Sequence, residues 1–87
     1  MDVERLEKIA RGYANKHRIR ILQRLSSKPG MTVGELADSL KTSLRVASEH
    51  TLRLSRAGLI RKVYRSNYVA QELTPLGRKV LRQLRDI

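Results

Sequence analysis

The sequence predicts a small α+β domain that is mainly α-helical and contains one short β-hairpin. Apolar residues recur at intervals of three to four in several segments, which is typical of amphipathic helices. Two short apolar runs between residues 59 and 73 flank a polar turn, which is typical of a hairpin. Because the chain has 87 residues, we expect one domain, residues 1–87, with its elements in the order α-α-α-α-β-β-α.

Two helices are predicted before the first break in the chain. The first covers residues 2–13, where Asp2 is a suitable N-cap and the apolar residues form one stripe. The second runs from about residue 16 to residue 25. Residues 26–30, which include Pro29 and Gly30, then interrupt the helical pattern.

A pair of helices joined by a turn is predicted over about residues 32–57. Thr32 and Glu35 have the spacing of a capping box, in which each side chain binds the backbone amide of the other residue. This predicts a short helix followed by a tight turn. Ser43 is a suitable N-cap for the second helix, and Gly58 supplies its C-terminal stop.

The apolar runs at residues 59–64 and 68–73 predict the hairpin. Asn67 lies between them and tolerates the positive φ of a tight turn. Thr74 and Pro75 have the order of an N-cap and a first helical residue, which predicts a last helix over about residues 75–86. This order of elements is that of a winged helix-turn-helix, whose wing would be the hairpin.

The charge of the chain indicates a polyanionic partner. Lysine and arginine together number 19 and acidic residues number 8, which gives a net charge of +11. Such an excess in a short chain is typical of proteins that bind nucleic acid. Proteins that bind single strands stack bases on aromatic side chains, and this chain has only three tyrosines and no other aromatic residue. Double-stranded DNA is therefore the predicted partner.

Several other classes of protein are disfavoured. The chain has no cysteine, which excludes disulfides and thiolate metal sites. Its apolar runs are far shorter than the ~20 residues of a membrane span, and its N-terminus lacks the apolar core of a signal peptide. No motif indicates a catalytic site, a cofactor or an effector. We expect a protein that is not an enzyme and is cytoplasmic and associated with the nucleoid.

The helix that follows Ser43 has two faces on a helical wheel. The core face contains Val46, Ala47, His50, Leu54 and Ala57, and the opposite face contains Arg45, Ser48, Glu49, Leu52 and Arg56. Arginine can bind guanine and glutamate can accept from cytosine, so the second face is suited to a major groove. Glu49 either reads a base or orients Arg45 or Arg53; alternatively it only pairs with Arg53 on a solvated face. Leu52 either packs against another element or subunit, which we prefer, or contacts a thymine methyl group.

Basic and polar side chains also surround the predicted hairpin. They are Arg61, Lys62, Arg65 and Asn67. Positive charge on a projecting hairpin is suited to binding phosphate or the minor groove, although a merely solvated basic hairpin is the alternative. Thr42 and Ser43 lie at a helix N-terminus, where free amides favour a phosphate, and capping explains them equally well.

Four segments have a pattern known from a regulator family: residues 14–22 (ANKHRIRIL), 32–37 (TVGELA), 48–50 (SEH) and 54–60 (LSRAGLI). They resemble the ArsR-type winged helix-turn-helix regulators. Residues 73–78 (LTPLGR) are similar to the end of the wing in MarR-type regulators. The resemblance implies a DNA-binding homodimer that represses or activates promoters. It also implies that the DNA-facing region contains Ser43, Arg45, Ser48, Glu49 and His50.

The sequence departs from this family at two places. Thr51 stands where the family usually has leucine, which predicts a weaker packing contact. Val33 and Gly34 stand near the cysteine pair of the metal sensors, and the last helix lacks the Asp/His ligands of a second sensor type. We therefore expect no metal at the known family sites. His17 and His50 are too isolated for another metal site, and His50 is expected to pack between helices or to contact phosphate.

The two terminal helices are expected to form a homodimer interface. In a domain this small, the core covers only part of their apolar stripes, so the remaining surface should find a partner. The predicted interface residues are Leu6, Ile9, Tyr13, Val80, Leu84 and Ile87.

Two alternative functions compete with a sequence-specific regulator. The first is an architectural chromatin protein that coats DNA with little sequence preference. The net charge supports it, whereas Glu49 and the family resemblance oppose it. The second is a winged helix that binds proteins and has lost DNA binding, which the basic residues of the recognition helix and hairpin oppose.

Overall fold

The computed structural model describes residues 16–85, which form four helices and one hairpin. The elements are α1 (Lys16–Ser27), α2 (Val33–Leu40), α3 (Leu44–Arg56), β1 (Ile60–Tyr64), β2 (Val69–Leu73) and α4 (Pro75–Arg85). Their order, α-α-α-β-β-α, confirms the predicted winged helix-turn-helix over this part of the chain. The helix predicted at residues 2–13, with Leu6, Ile9 and Tyr13, lies outside the described residues, as does Ile87.

Helix α1 lies at the centre of the fold. It packs against each of the other three helices and against β2. Ile21, Leu22 and Leu25 occupy its inner face and are almost completely buried. Each buried aliphatic side chain contributes about 1.5–3 kcal/mol to folding, so this face supplies much of the core.

The helix-turn-helix is fixed by local hydrogen bonds that the sequence predicts. The Thr32 hydroxyl accepts from the Glu35 amide at 3.1 Å, and the Glu35 carboxylate accepts from the Thr32 amide at 3.0 Å. The second of these bonds lowers the pKa of the Glu35 carboxyl. The Ser43 hydroxyl accepts from the Val46 amide at 3.1 Å and caps α3. The capping box and the second cap are therefore confirmed.

The hairpin forms a two-stranded sheet, and one isolated bridge pairs with it from outside the strands. Strands β1 and β2 pair antiparallel, with Ile60 opposite Leu73 and Tyr64 opposite Val69. Met31 also bridges to Gln71, whose amide donates to the Met31 carbonyl at 2.8 Å. The bridging residue, Met31, lies directly after residues 26–30, for which the sequence predicts only an interruption between two helices.

The turn of the hairpin differs from the prediction at one residue. Asn67 does not have a positive φ; in the described part of the chain Lys41 is the only residue other than glycine that does. Four residues connect the strands, and the Arg65 amide donates to the Tyr68 carbonyl at 2.9 Å. A positive φ is required in two-residue hairpin turns, whereas four-residue loops are most often built on turns with negative φ.

Residues from both ends of the wing meet at one junction. The Thr74 amide donates to the Leu59 carbonyl at 3.1 Å, and the Thr74 hydroxyl donates to the Gly58 carbonyl at 2.6 Å. The same hydroxyl accepts from the Gly77 amide at 3.0 Å, which confirms Thr74 as the N-cap of α4. Gly77 lies against the Leu59 carbonyl so closely that a Cβ at this position would overlap it.

Much of the apolar stripe of helix α4 is buried in the core of its own chain. Val80 and Leu81 are buried and belong to the core, whereas Leu84 is half-buried and packs at the edge of that core. The assignment of Val80 to a dimer interface is thus revised, because the core of its own chain already buries its side chain. Leu84 retains surface that a partner could cover.

We predict that Gly77→Ala destabilises the domain by about 2 kcal/mol or more. The added methyl group would overlap a backbone carbonyl that cannot rotate away, so the junction must shift. The measurement is the free energy of unfolding in urea.

Gly34→Ala is the matched control, because Gly34 also lies in the first turn of a helix but a Cβ there meets only ordinary contacts. It should be neutral or stabilising by up to about 1 kcal/mol. A Gly77→Ala variant as stable as the wild type would contradict this account of the junction.

Candidate nucleic-acid interface

Helix α3 separates its residues into a buried and an exposed face, as the helical wheel predicts. Ala47 and Leu54 are buried in the core, and Thr51 is buried beside them. The Thr51 hydroxyl donates to the Ser48 carbonyl at 3.0 Å, so its polar atom is satisfied within the helix. Thr51 therefore serves as a core residue at the position where the family usually has leucine, and the wheel did not include it.

The exposed face of α3 combines basic, polar and apolar side chains. It contains Leu44, Arg45, Ser48, Glu49, Leu52, Arg53 and Arg56. Leu44 and Leu52 are 59% and 44% exposed, so neither is a core residue. Leu52 is therefore not packed into the core of its own chain, and the preferred packing against a second subunit and the alternative contact with a thymine methyl group both stay predictions.

Glu49 pairs with Arg45 rather than with Arg53. The Glu49 carboxylate lies 3.7 Å from the Arg45 guanidinium, one helical turn away. Both side chains are well exposed, at 62% and 90%. Exposed pairs of this kind contribute little to stability, so the pair leaves both side chains accessible to a partner.

His50 lies between α1 and α3 rather than on the exposed face. The Arg18 guanidinium donates to His50 Nδ1 at 3.3 Å, and the rings of His17 and His50 stack with centroids 5.6 Å apart. Burial and then the charge of Arg18 lower the pKa of His50. Burial and the charge of Arg53 likewise lower the pKa of Arg18. Of the two predicted roles of His50, the structure shows packing between helices.

The N-terminal end of α3 is shaped by capping. The Ser43 hydroxyl is occupied by the Val46 amide, and the Thr42 amide donates to the Ala37 carbonyl at 3.0 Å. Lys41 has φ of 54° and makes the tight turn between the two helices. Ser43 is exposed and Thr42 half-buried, so both lie at the surface where α3 begins.

The wing carries the predicted basic residues and one acidic residue that the sequence analysis missed. Arg61, Lys62, Arg65 and Asn67 are all exposed. Glu72 lies 3.6 Å from the Arg61 guanidinium and 4.0 Å from that of Arg65. The register of the hairpin pairs Arg61 with Glu72, and a turn centred between residues 66 and 67 would have predicted this pair.

The described residues include no group of three or more metal-ligand side chains. Within the same range, no helix has the length and apolar character needed to cross a membrane.

We predict that acidification weakens the fold through His50. Its folded pKa lies below the unfolded value of about 6.5, so the unfolded chain binds the proton first. Stability should be fully present above pH ~6.5 and decline as the pH falls through the folded pKa, because protonation removes the acceptor that Arg18 uses. His17, Arg18, Glu49 and Arg53 are the charged or titratable groups whose fields act on it.

The measurement is the free energy of unfolding in urea between pH 7.5 and 5. The control is His50→Gln, whose amide oxygen can still accept from Arg18 but does not titrate. Its stability should vary less with pH. If the free energy of unfolding depends on pH equally in the wild type and in His50→Gln, His50 is not the cause of the loss of stability in acid.

Comparisons with known proteins agree with this architecture. A family model described as a helix-turn-helix domain matches residues 13–63. No curated protein matches the sequence significantly. Among solved structures, reduced HlyU from Vibrio cholerae is 27% identical, with a TM-score of 0.78 over 93% of this chain and 84% of that one.

Two further structures share the fold at lower identity. One is the homodimeric winged helix-turn-helix DNA-binding domain of Mb0332 from Mycobacterium bovis, a possible ArsR-family transcriptional regulator. It is 17% identical, with a TM-score of 0.87 over 95% of this chain and 77% of that one. The other is a MarR family protein from Bacillus stearothermophilus, which is 23% identical, with a TM-score of 0.79. The match to it covers 95% of this chain but only 60% of that protein.

The family match covers more than half of the chain, and the resemblance noted in the sequence is confirmed. Its fold is the winged form also found in the possible ArsR-family structure and the MarR family structure. The chain belongs to the helix-turn-helix domain family.

Proposed function

We propose that this domain binds double-stranded DNA sequence-specifically, as a homodimeric transcriptional regulator that acts at the nucleoid. Helix α3 enters the major groove, and the wing contacts the backbone or the minor groove. The observation that carries the proposal is the exposed face of α3, where arginines, a serine and a carboxylate lie together opposite the face that packs into the core.

The dimensions and chemistry of α3 support insertion into the groove. Its 13 residues span about 20 Å, and a major groove about 12 Å wide admits a helix. Arg45, near the N-terminus of α3, can hold guanine through O6 and N7. The Glu49 carboxylate lies 3.7 Å from Arg45, so its charge favours positions of the guanidinium on the same exposed face.

The wing adds contacts that do not depend on sequence. Strand β1 packs against α3, so the base of the hairpin lies beside the recognition helix. Arg61, Lys62 and Arg65 project from it as exposed cations. Phosphate contacts of this type fix orientation and add affinity that weakens as salt is raised.

A homodimer is supported by the similar fold of the Mb0332 DNA-binding domain, which is homodimeric. Leu84 on α4 offers half-exposed apolar surface, and the predicted interface is completed by Leu6, Ile9, Tyr13 and Ile87. Two-fold symmetry would set the two recognition helices about 34 Å apart, so the operator should be a near-palindrome.

The second candidate function is an architectural protein that coats DNA. The net charge of +11 favours it, since charge alone produces binding to any sequence. The exposed Glu49 opposes it, because a carboxylate on the DNA-facing surface repels phosphate and lowers non-specific affinity. The ratio of specific to random affinity separates the two functions.

We predict that a binding sequence selected from a random duplex library is bound about 10³-fold more tightly than unrelated duplexes. Affinity should fall with salt by about 0.9 log units per decade for each phosphate contacted. Arg45→Ala should cost about 1–3 kcal/mol at particular base pairs of the selected site and little on random DNA.

The matched control is Arg20→Ala, which removes an exposed arginine from α1. It should reduce binding to both kinds of DNA slightly and equally. A specific-to-random ratio near one would favour the coating protein, and the absence of binding at low salt would exclude both functions.

We further predict a dimer of twice 10.0 kDa in sedimentation at micromolar concentration. Leu84→Glu should yield a folded monomer with much weaker operator binding, because a carboxylate would be buried at the interface. Gln83→Glu adds the same charge at a neighbouring exposed position and should leave the dimer intact. A wild-type monomer under these conditions would contradict the symmetric assembly, whatever the variants do.

A further inference from the structure

We propose that Glu72 is a positioning residue of the wing that holds Arg61 and Arg65 side by side and limits their attraction for DNA phosphate. This inference rests on the proposed DNA binding and assigns a role to an acidic residue within a basic surface. The observation that carries it is a single carboxylate placed between two guanidinium groups on the exposed face of the hairpin.

The register of the hairpin fixes this arrangement. Arg61 on β1 lies directly opposite Glu72 on β2, so their side chains leave the sheet on the same face. Arg65 is the first residue after β1, and its amide is tied to the Tyr68 carbonyl at 2.9 Å. Glu72 Oε1 faces Arg61 at 3.6 Å, while Oε2 faces Arg65 at 4.0 Å. Each carboxylate oxygen of Glu72 therefore pairs with a different arginine.

The lengths of these contacts decide what the arginines can still do. Charge-assisted hydrogen bonds between nitrogen and oxygen are about 2.7–2.9 Å long, and both contacts exceed this. The pairing is thus Coulombic, and it leaves N–H groups of both arginines able to donate to a phosphate. The Glu72 side chain is only 26% exposed, against 64% and 51% for Arg61 and Arg65, so the two arginines are the more accessible members of the cluster.

The charges of the cluster set its affinity for DNA. Two arginines carry +2, and the carboxylate reduces the cluster to +1. A phosphate that approaches must share both guanidinium groups with Glu72, and it is repelled by that carboxylate. Surface ion pairs add little to stability, so the loss of this pair should affect binding much more than folding.

The test is Glu72→Gln, which keeps the shape of the side chain and removes its charge. Binding to a random duplex is measured by fluorescence anisotropy at several salt concentrations, together with thermal unfolding. If the variant neutralises one more phosphate, the salt slope becomes steeper by about 0.9, which corresponds to about eightfold tighter binding at 0.1 M salt. Thermal unfolding should be nearly unchanged.

Asp38→Asn is the matched control, because it removes the same charge from an exposed position on α2. It should tighten binding by less than about twofold. The second control places Glu72→Gln in a chain that already carries Arg61→Gln and Arg65→Gln, where it should have no more effect than Asp38→Asn.

The outcomes separate this inference from the proposed function. If the wild type binds duplex DNA but Glu72→Gln binds it equally or more weakly, Glu72 does not limit the wing and the inference is overturned. An equal gain from Asp38→Asn, or a gain that persists without the two arginines, overturns it as well. If the wild type binds no duplex at low salt, the proposed DNA binding itself has failed.

Discussion

The close contact between Gly77 and the Leu59 carbonyl is the constraint on which the placement of the wing relative to α3 depends. Leu59 follows the end of α3 and precedes β1, while Gly77 lies in the first turn of α4. Thr74 closes the junction, since its amide and hydroxyl bind the carbonyls of Leu59 and Gly58. This junction therefore joins the end of α3, both ends of the wing and the start of α4, and it fixes their relative orientation.

This junction explains how a small core can support a precise interface. The hairpin leaves α3 and returns to α4 at the same point, so its base cannot swing without breaking several backbone hydrogen bonds. The junction holds the backbone at the base of the wing, and the buried residues of α1 pack against α3. The side chains at the wing tip and on the exposed face of α3 are therefore not required for core packing. Side chains on those surfaces are consequently available for contacts with DNA.

The features that sequence reasoning identified are local in the chain. The capping box at Thr32 and Glu35 and the caps at Ser43 and Thr74 each depend on residues within four positions, and the structure contains all three. The missed features depend on register or tertiary contact. The Met31–Gln71 bridge and the Arg61–Glu72 pair require the hairpin register, and the burial of Thr51 requires the packing of α3. Asn67 was assigned the wrong φ because the loop length was not known.

The same distinction applies to the charges. Composition predicts a basic surface, but it cannot show where the few acidic residues stand within it. Two of the four acids in the described part of the chain, Glu49 and Glu72, each face an arginine on an element that we propose meets DNA. In our proposal, a carboxylate in such a place weakens attraction to every phosphate and at the same time favours positions of the guanidinium close to it. On α3 that guanidinium can meet a base, whereas on the wing it can meet only the backbone or the minor groove. Under the proposed function, these two carboxylates would moderate binding driven by charge alone while leaving the arginines on α3 and the wing accessible.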